Sequence, residues 1–375
     1  MALATAFILF GVGTLAFVNY AYVHHILMPY HNYPEEVAVK LRRAVYYNNL
    51  IKQGYGTKED AKNALKYYRQ AVEVSEELGM DPFSDEVMGI KIQVGALMEH
   101  AQQFGKAAQV IEILRRDAMT WVNRYGDKPE NRVKRTRLLA KCVAFSVKLG
   151  ELYGHPNVHD RDAALERLVW AVETSLKESQ RRASLGLSTE ELELKEGMWL
   201  TPSEIGAALE DLGHRYEERD QHYLATPLFL QALSLNDKKG CHQVILMNNL
   251  ATSLAQQNPR AAVEAQAYTL SSSISNTTQQ TPTPQITTRE SLIQNGITWA
   301  QKALDVAANI QPPERDDECD VGCAVALHNL GEFAEMQKDT MRARQKYKEA
   351  VSLSRAIGFE EGLEMSSARL RALKD

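Results

Sequence analysis

Cysteine is scarce in this chain of 375 residues: four in all, Cys142, Cys241, Cys319 and Cys323. So few and so scattered, they exclude a disulfide-dense scaffold. Cys319 and Cys323 stand four apart, and no further thiolate or imidazole flanks them at zinc-finger spacing. They read as helix-packing or free thiols. Basic character is missing too, with 43 Lys+Arg against 48 Asp+Glu, so nucleic acid is not an expected partner. A mean hydropathy of −0.35 excludes a polytopic membrane protein while leaving room for one span. Catalytic signatures are absent: there is no Walker A loop, no GxGxxG after a strand, and no HExxH, GxSxG or CxxC. No enzyme activity, cofactor or metal site is expected.

The most local absence is of charge. No Asp, Glu, Lys or Arg precedes Glu35, and Ala2–Val23 is almost wholly apolar. A run of about 20 apolar residues in a helix spans a hydrocarbon core. Tyr20 and Tyr22 stand where an interfacial aromatic belt belongs, and His24-His25 read as boundary residues. The run has no basic n-region and is too long for a cleaved signal peptide. Residues 1–28 are therefore expected to form an uncleaved transmembrane anchor, and the Pro-bounded stretch 29–35 a linker.

From there on, apolar residues recur with a helical period and repeat as a unit. Leu212-Gly213-x2-Tyr216 leads to Ala225, Phe229 and Ala232, and Leu330-Gly331-x2-Ala334 leads to Ala343, Tyr347 and Ala350. Both place a small residue where two helices touch, an aromatic beside it, and Ala at the close approach. This is the tetratricopeptide pattern. Looser copies keep the spacing: Gly95 with Ala107, Ile111 and Leu114; Leu149-Gly150 with Ala164, Leu168 and Ala171; Ala64, Tyr68 and Ala71; and Leu250-Ala251 with Gly296, Ala300 and Ala303. The expected fold is all-α: about six helix pairs over residues 36–375 in one tetratricopeptide superhelix, behind the anchor. Near 259–289 the polar, Pro-containing segment reads as a disordered insertion, and Gly362–Leu373 as a capping helix.

In such an array the first helices of successive pairs line a groove for extended peptides. Asn249 and Asn329 each precede the motif leucine in equivalent register, in Asn248-Asn249-Leu250-Ala251 and His328-Asn329-Leu330-Gly331. A side-chain amide both donates and accepts, which suits a peptide main chain. The candidate peptide-binding residues are Asn248, Asn249, His328 and Asn329; the alternative is that these amides hold the helix pairs together. Ile245 and Val325 occupy positions where a carboxylate clamp needs Lys or Arg, so that specialised function is not expected. His214 and His222 are read as solvent-exposed. The basic run Arg132–Arg137, with Arg115-Arg116, is read as a solvated helix face, the alternative being a docking patch.

The order of span and Pro-bounded linker, with EEVAVKLRRAVYY, ALKYYRQAVE and GCHQVILMNNLATSLAQ (Gly240–Gln256), resembles the fungal tetratricopeptide subunit of the mitochondrial inner-membrane i-AAA protease supercomplex. The resemblance implies a non-enzymatic adaptor in the inner membrane, with its repeat domain in the intermembrane space. There it would present membrane-protein substrates to the i-AAA protease complex. An Asn before the motif leucine is implied, by the same kind of resemblance, to bond a bound peptide's backbone. Alternatives of another kind are an outer-membrane receptor for precursor proteins and a respiratory-complex assembly factor. The lack of a basic, Ser-rich presequence ahead of the span leaves either a start further upstream or insertion directed by the span itself.

Overall fold

Local signals in the sequence begin the helices. In the computed structural model, Thr57 and Asp60 form a reciprocal capping box, as do Thr201 and Glu204 ahead of Pro202, while Ser84 and Asp339 each accept one free N–H of the first turn. Each such cap satisfies donors that the helix itself leaves orphaned. At the other end Gly358, with φ +71°, closes a helix in the left-handed region that glycine reaches without a Cβ clash.

The structure describes residues 20, 30–236, 240–261 and 288–373. Among them every element is helical. The chain divides into two compact units, Met1–Ala164 with Glu193–Gly197, and Leu165–Leu192 with Met198–Asp375.

Unit 1 contains α1 (Glu35–Lys52), α2 (Lys58–Glu77), α3 (Asp85–His100), α4 (Phe104–Tyr125) and α5 (Arg132–Gly154). Helices α1 and α2 pair, as do α3 and α4, and α5 packs on α4. Tyr68 of α2 is wholly buried, and its hydroxyl accepts from Asn48 of α1 at 3.2 Å. Next comes α6 (Arg161–Ser184), which crosses into unit 2, then the short α7 (Thr189–Glu196). Unit 2 continues with α8 (Pro202–Glu217), α9 (His222–Leu235), α10 (His242–Gln256), α11 (Arg289–Asn309), α12 (Asp317–Met336), α13 (Thr340–Ile357) and α14 (Glu360–Ala372). Its pairs are α8 with α9, α10 with α11 and α12 with α13, and α14 covers the last one.

The Gly–aromatic spacing works by contact. A Cβ built on Gly213 would lie 2.6 Å from the ring of Phe229, and one on Gly331 2.6 Å from that of Tyr347. Both rings are fully buried, so the missing methyl group is what lets each ring seat against the first helix. These pairs are of tetratricopeptide type.

Several expectations meet different outcomes. The apolar run Ala2–Val23, apart from Tyr20, lies outside the described residues, and among those described no helix is long and apolar enough to cross a membrane. Of the insertion, 262–287 lies outside them as well, and Arg289 already opens α11, capped by Thr288. In the stretch read as a linker, the Tyr33 hydroxyl donates to the Glu86 carbonyl of α3 at 3.3 Å.

The basic run is not a free solvated face. Lys134 pairs with Asp81 at 2.6 Å and sits 4.8 Å from the Trp121 ring centroid. Arg137 donates to the Phe83 carbonyl at 3.0 Å, Lys141 reaches Asp85 at 2.8 Å, and Arg132 reaches the buried Glu196 at 3.3 Å. Arg115 donates to Ser146 at 2.7 Å. The run holds the turn between α2 and α3 against α5.

The cysteine expectation is also corrected. Cys319 does not stay a free packing thiol: it is bonded to Cys241, 78 residues away, with the two Cα atoms 4.8 Å apart. Cys142 and Cys323 remain thiols. Spacing along one helix pointed to Cys323 as the neighbour of Cys319, whereas the stacking of α10 on α12 brings Cys241 there instead.

Candidate peptide-binding site

In unit 2, α8, α10 and α12 are the first helices of successive pairs. On α8, the spacing Glu210-x3-His214-x2-Glu217 puts three titratable side chains on one face. His214 Nδ1 lies 3.2 Å from Glu217 Oε2, and its Nε2 lies 3.8 Å from Glu210 Oε1. From α10, His242 Nε2 approaches Glu210 Oε2 to 2.8 Å, while His242 Nδ1 lies 3.6 Å from Glu318 of α12. The Asn249 amide donates to Glu210 Oε1 at 2.9 Å. Carboxylate and imidazole therefore alternate from α8 through α10 to α12.

Burial resists the charge on Glu210, but the bonds and charges of His214 and His242 outweigh it and lower the carboxyl to about 2. Burial likewise opposes charge on His214, yet Glu210 and Glu217 raise it to about 9. The Glu210 bond raises His242 against its partial burial. At neutral pH Glu210 is a carboxylate and His214 an imidazolium, and neither stands near the pKa a general acid or base needs. The arrangement holds fixed, alternating charge next to an amide, which is suited to binding. Among the described residues no group of three His, Cys, Asp or Glu side chains could hold a metal ion.

The four residues singled out in the sequence divide. Asn249 joins the cluster. Asn329, at the same register of α12, is buried, and its side-chain amide makes no hydrogen bond among the described residues. Asn248 is turned to the neighbouring repeat, where its amide donates to the Gly322 carbonyl at 2.8 Å, leaving a buried Oδ1 without a partner. His328 is buried, with Nδ1 2.9 Å from Ser366 Oγ of α14. Those two side chains brace the array. Ile245 and Val325 are half-buried on α10 and α12, an apolar stretch between the polar ends. The reading of His222 as exposed is overturned: it is 6% exposed, with its Nδ1 3.8 Å from Glu217. Sequence reasoning passed over Glu210, His242 and Glu318; the i,i+4 spacing of Glu210 and His214 was the one available signal.

No protein-family model matches this chain. It is 27% identical over 340 residues to a TPR repeat-containing protein of Schizosaccharomyces pombe, an alignment covering 89% of this chain and 77% of that protein. It is 23% identical over 142 residues to the protein MRG3-like of Saccharomyces cerevisiae, covering 38% of this chain and 29% of that one. Similar solved structures include the TPR-like repeats of a kinesin light chain from Podospora anserina, at TM-score 0.45 and 11% identity, covering 73% of this chain and 97% of that one. Another is BtubC from P. vanneervenii, at TM-score 0.40 and 11% identity, covering 86% and 91% respectively.

Proposed function

We propose that this chain is a non-enzymatic, membrane-anchored adaptor that binds extended protein segments along the first helices of unit 2 and presents them to the mitochondrial i-AAA protease. The observation that carries the binding role is the strip on α8, α10 and α12. There the Glu210, His214, His242 and Asn249 cluster borders half-buried Ile245 and Val325, and Asn329 has an amide with no bond among the described residues. Peptide main chains need donors and acceptors at intervals, and the two asparagines stand one repeat apart in the same register. The apolar run Ala2–Val23 supports the tether, which concentrates the strip beside membrane-bound partners so that weak contacts suffice. The Cys241–Cys319 bond suits an oxidising compartment such as the intermembrane space, and weighs against a receptor facing the reducing cytosol.

The test is the pair Asn249→Ala with Asn329→Ala in the full-length protein. One lost hydrogen bond each, at about 1 kcal/mol net, weakens capture of the protease complex and its substrates roughly ten- to thirtyfold. A lower melting temperature with unchanged capture would assign both amides to packing. Protease protection of the repeats in intact and then outer-membrane-ruptured mitochondria checks the compartment.

A further inference from the structure

Unit 1 contains a cavity of about 640 Å³ far in sequence from the strip on unit 2. It opens where the turn joining α1 to α2 meets the turn joining α3 to α4. Its apolar wall is made by Ile51, Ala61, Leu65, Met98 and Ala101. The charged side chains lining it are all cationic, Lys58 and Lys62 from α2 and Lys106 from α4, and no Asp or Glu is among its lining residues. The nearest carboxylates in sequence, Glu59 and Asp60, do not line the cavity and are engaged by two residues that do, Lys62 and Thr57. Asp60 accepts from the Thr57 backbone at 2.8 Å, and Glu59 pairs with Lys62 at 3.1 Å. That pair is largely exposed, with 74% and 69% of the two side chains accessible, and so is weak and easily exchanged. Among the described residues neither Lys58 nor Lys106 has an acidic partner.

We propose that this cavity binds the anion of a long-chain fatty acid, its alkyl chain against Ile51, Leu65 and Met98 and its carboxylate between the ammonium groups of Lys58 and Lys106. The polar lining residues Thr57, His100, Gln102 and Gln103 stand at the helix ends and turns, while the five wall residues present only carbon and one thioether sulfur, so a polar ring system seated against that wall would lose hydrogen bonds to water there. An alkyl chain has none to lose. The lysine stems extend the apolar wall to the rim, where their charged ends stay in water. The volume of about 640 Å³ is that of a small-molecule site. The inference does not depend on the adaptor reading.

The experiment uses the full-length protein and a palmitate analogue carrying a terminal diazirine, followed by peptide mapping of the photo-adducts. The expected result is labelling of the segments holding Ile51, Leu65 and Met98, suppressed by excess palmitate and not by its methyl ester. Lys58→Gln with Lys106→Gln should lower apparent affinity about tenfold or more, since hydrogen bonds to charged groups are lost, with an unchanged melting temperature. Ala61→Phe should fill the cavity and abolish labelling. Labelling confined to residues 1–34, equal competition by the ester, or labelling that survives Ala61→Phe would overturn the proposal. An acidic peptide that competes better than palmitate would assign the cavity to a protein partner and overturn it as well. Should Ala61→Phe misfold, the two lysine substitutions and the ester control decide by themselves.

Discussion

Replacing Cys241 and Cys319 together by alanine removes a cross-link that closes a loop of 78 residues. In the chain-entropy relation a loop of that size restricts the unfolded chain by about 4.5 kcal/mol at 25 °C. Both cysteines are buried, at 2% and 0% exposure, in a cluster with Val244, Met247, Ala303 and Ala326. Alanine removes only the weak sulfur acceptor that the exposed Asp316 N–H reaches at 3.5 Å, so most of the loss is entropic. For a unit of roughly 200 residues each kcal/mol shifts the melting temperature by about 2–4 °C, so the double variant should melt some 9–18 °C lower. Differential scanning calorimetry of the wild type, the variant and the wild type in reductant measures it. A thiol count under denaturing conditions should find two free thiols before reduction and four after, in keeping with Cys142 and Cys323 as the unbridged pair. Four thiols before reduction, or a variant melting within about 3 °C of the wild type, would refute the reasoning.

Gly213→Ala places a methyl group 2.6 Å from the Phe229 ring; overpacking of about 1–3 kcal/mol should outweigh the helix-propensity gain of about 1 kcal/mol, lowering the urea midpoint. Thr201→Ala deletes the capping box with Glu204 and should cost about 1 kcal/mol, read in the same titration. The cluster on α8 sets a pH window. His214, raised from 6.5 to about 9, contributes stability that is fully present below about pH 6.5 and is lost as pH rises through about 9. Glu210, lowered from 4.5 to about 2, contributes above about pH 4.5 and loses it as pH falls toward 2. The melting temperature should therefore plateau between these values, and His214→Gln should flatten the alkaline limb; because 43% of the His214 side chain is exposed, solvent screening keeps that limb shallow.

The helix pairs were legible because their determinants are local. Gly213 and Phe229, or Gly331 and Tyr347, stand sixteen residues apart on neighbouring helices joined by a short turn, so spacing alone reports the contact. Caps such as Thr201 with Glu204 are read within four residues. The same locality explains the register of Asn249 and Asn329. It does not tell which way an adjacent amide turns, and Asn248, one residue away, faces α12 and the Gly322 carbonyl.

What tertiary structure alone decided lies between repeats. Cys241 meets Cys319 across 78 residues, and His242 meets Glu210 across 32. Arg137 reaches back 54 residues to the Phe83 carbonyl, which turns a run of like charge into a brace. Each of these contacts depends on how one first helix is offset and rotated against the next, which the close-packed interior sets through many side chains at once. A repeat motif specifies the pair it belongs to; the chemistry between pairs comes from the stacking.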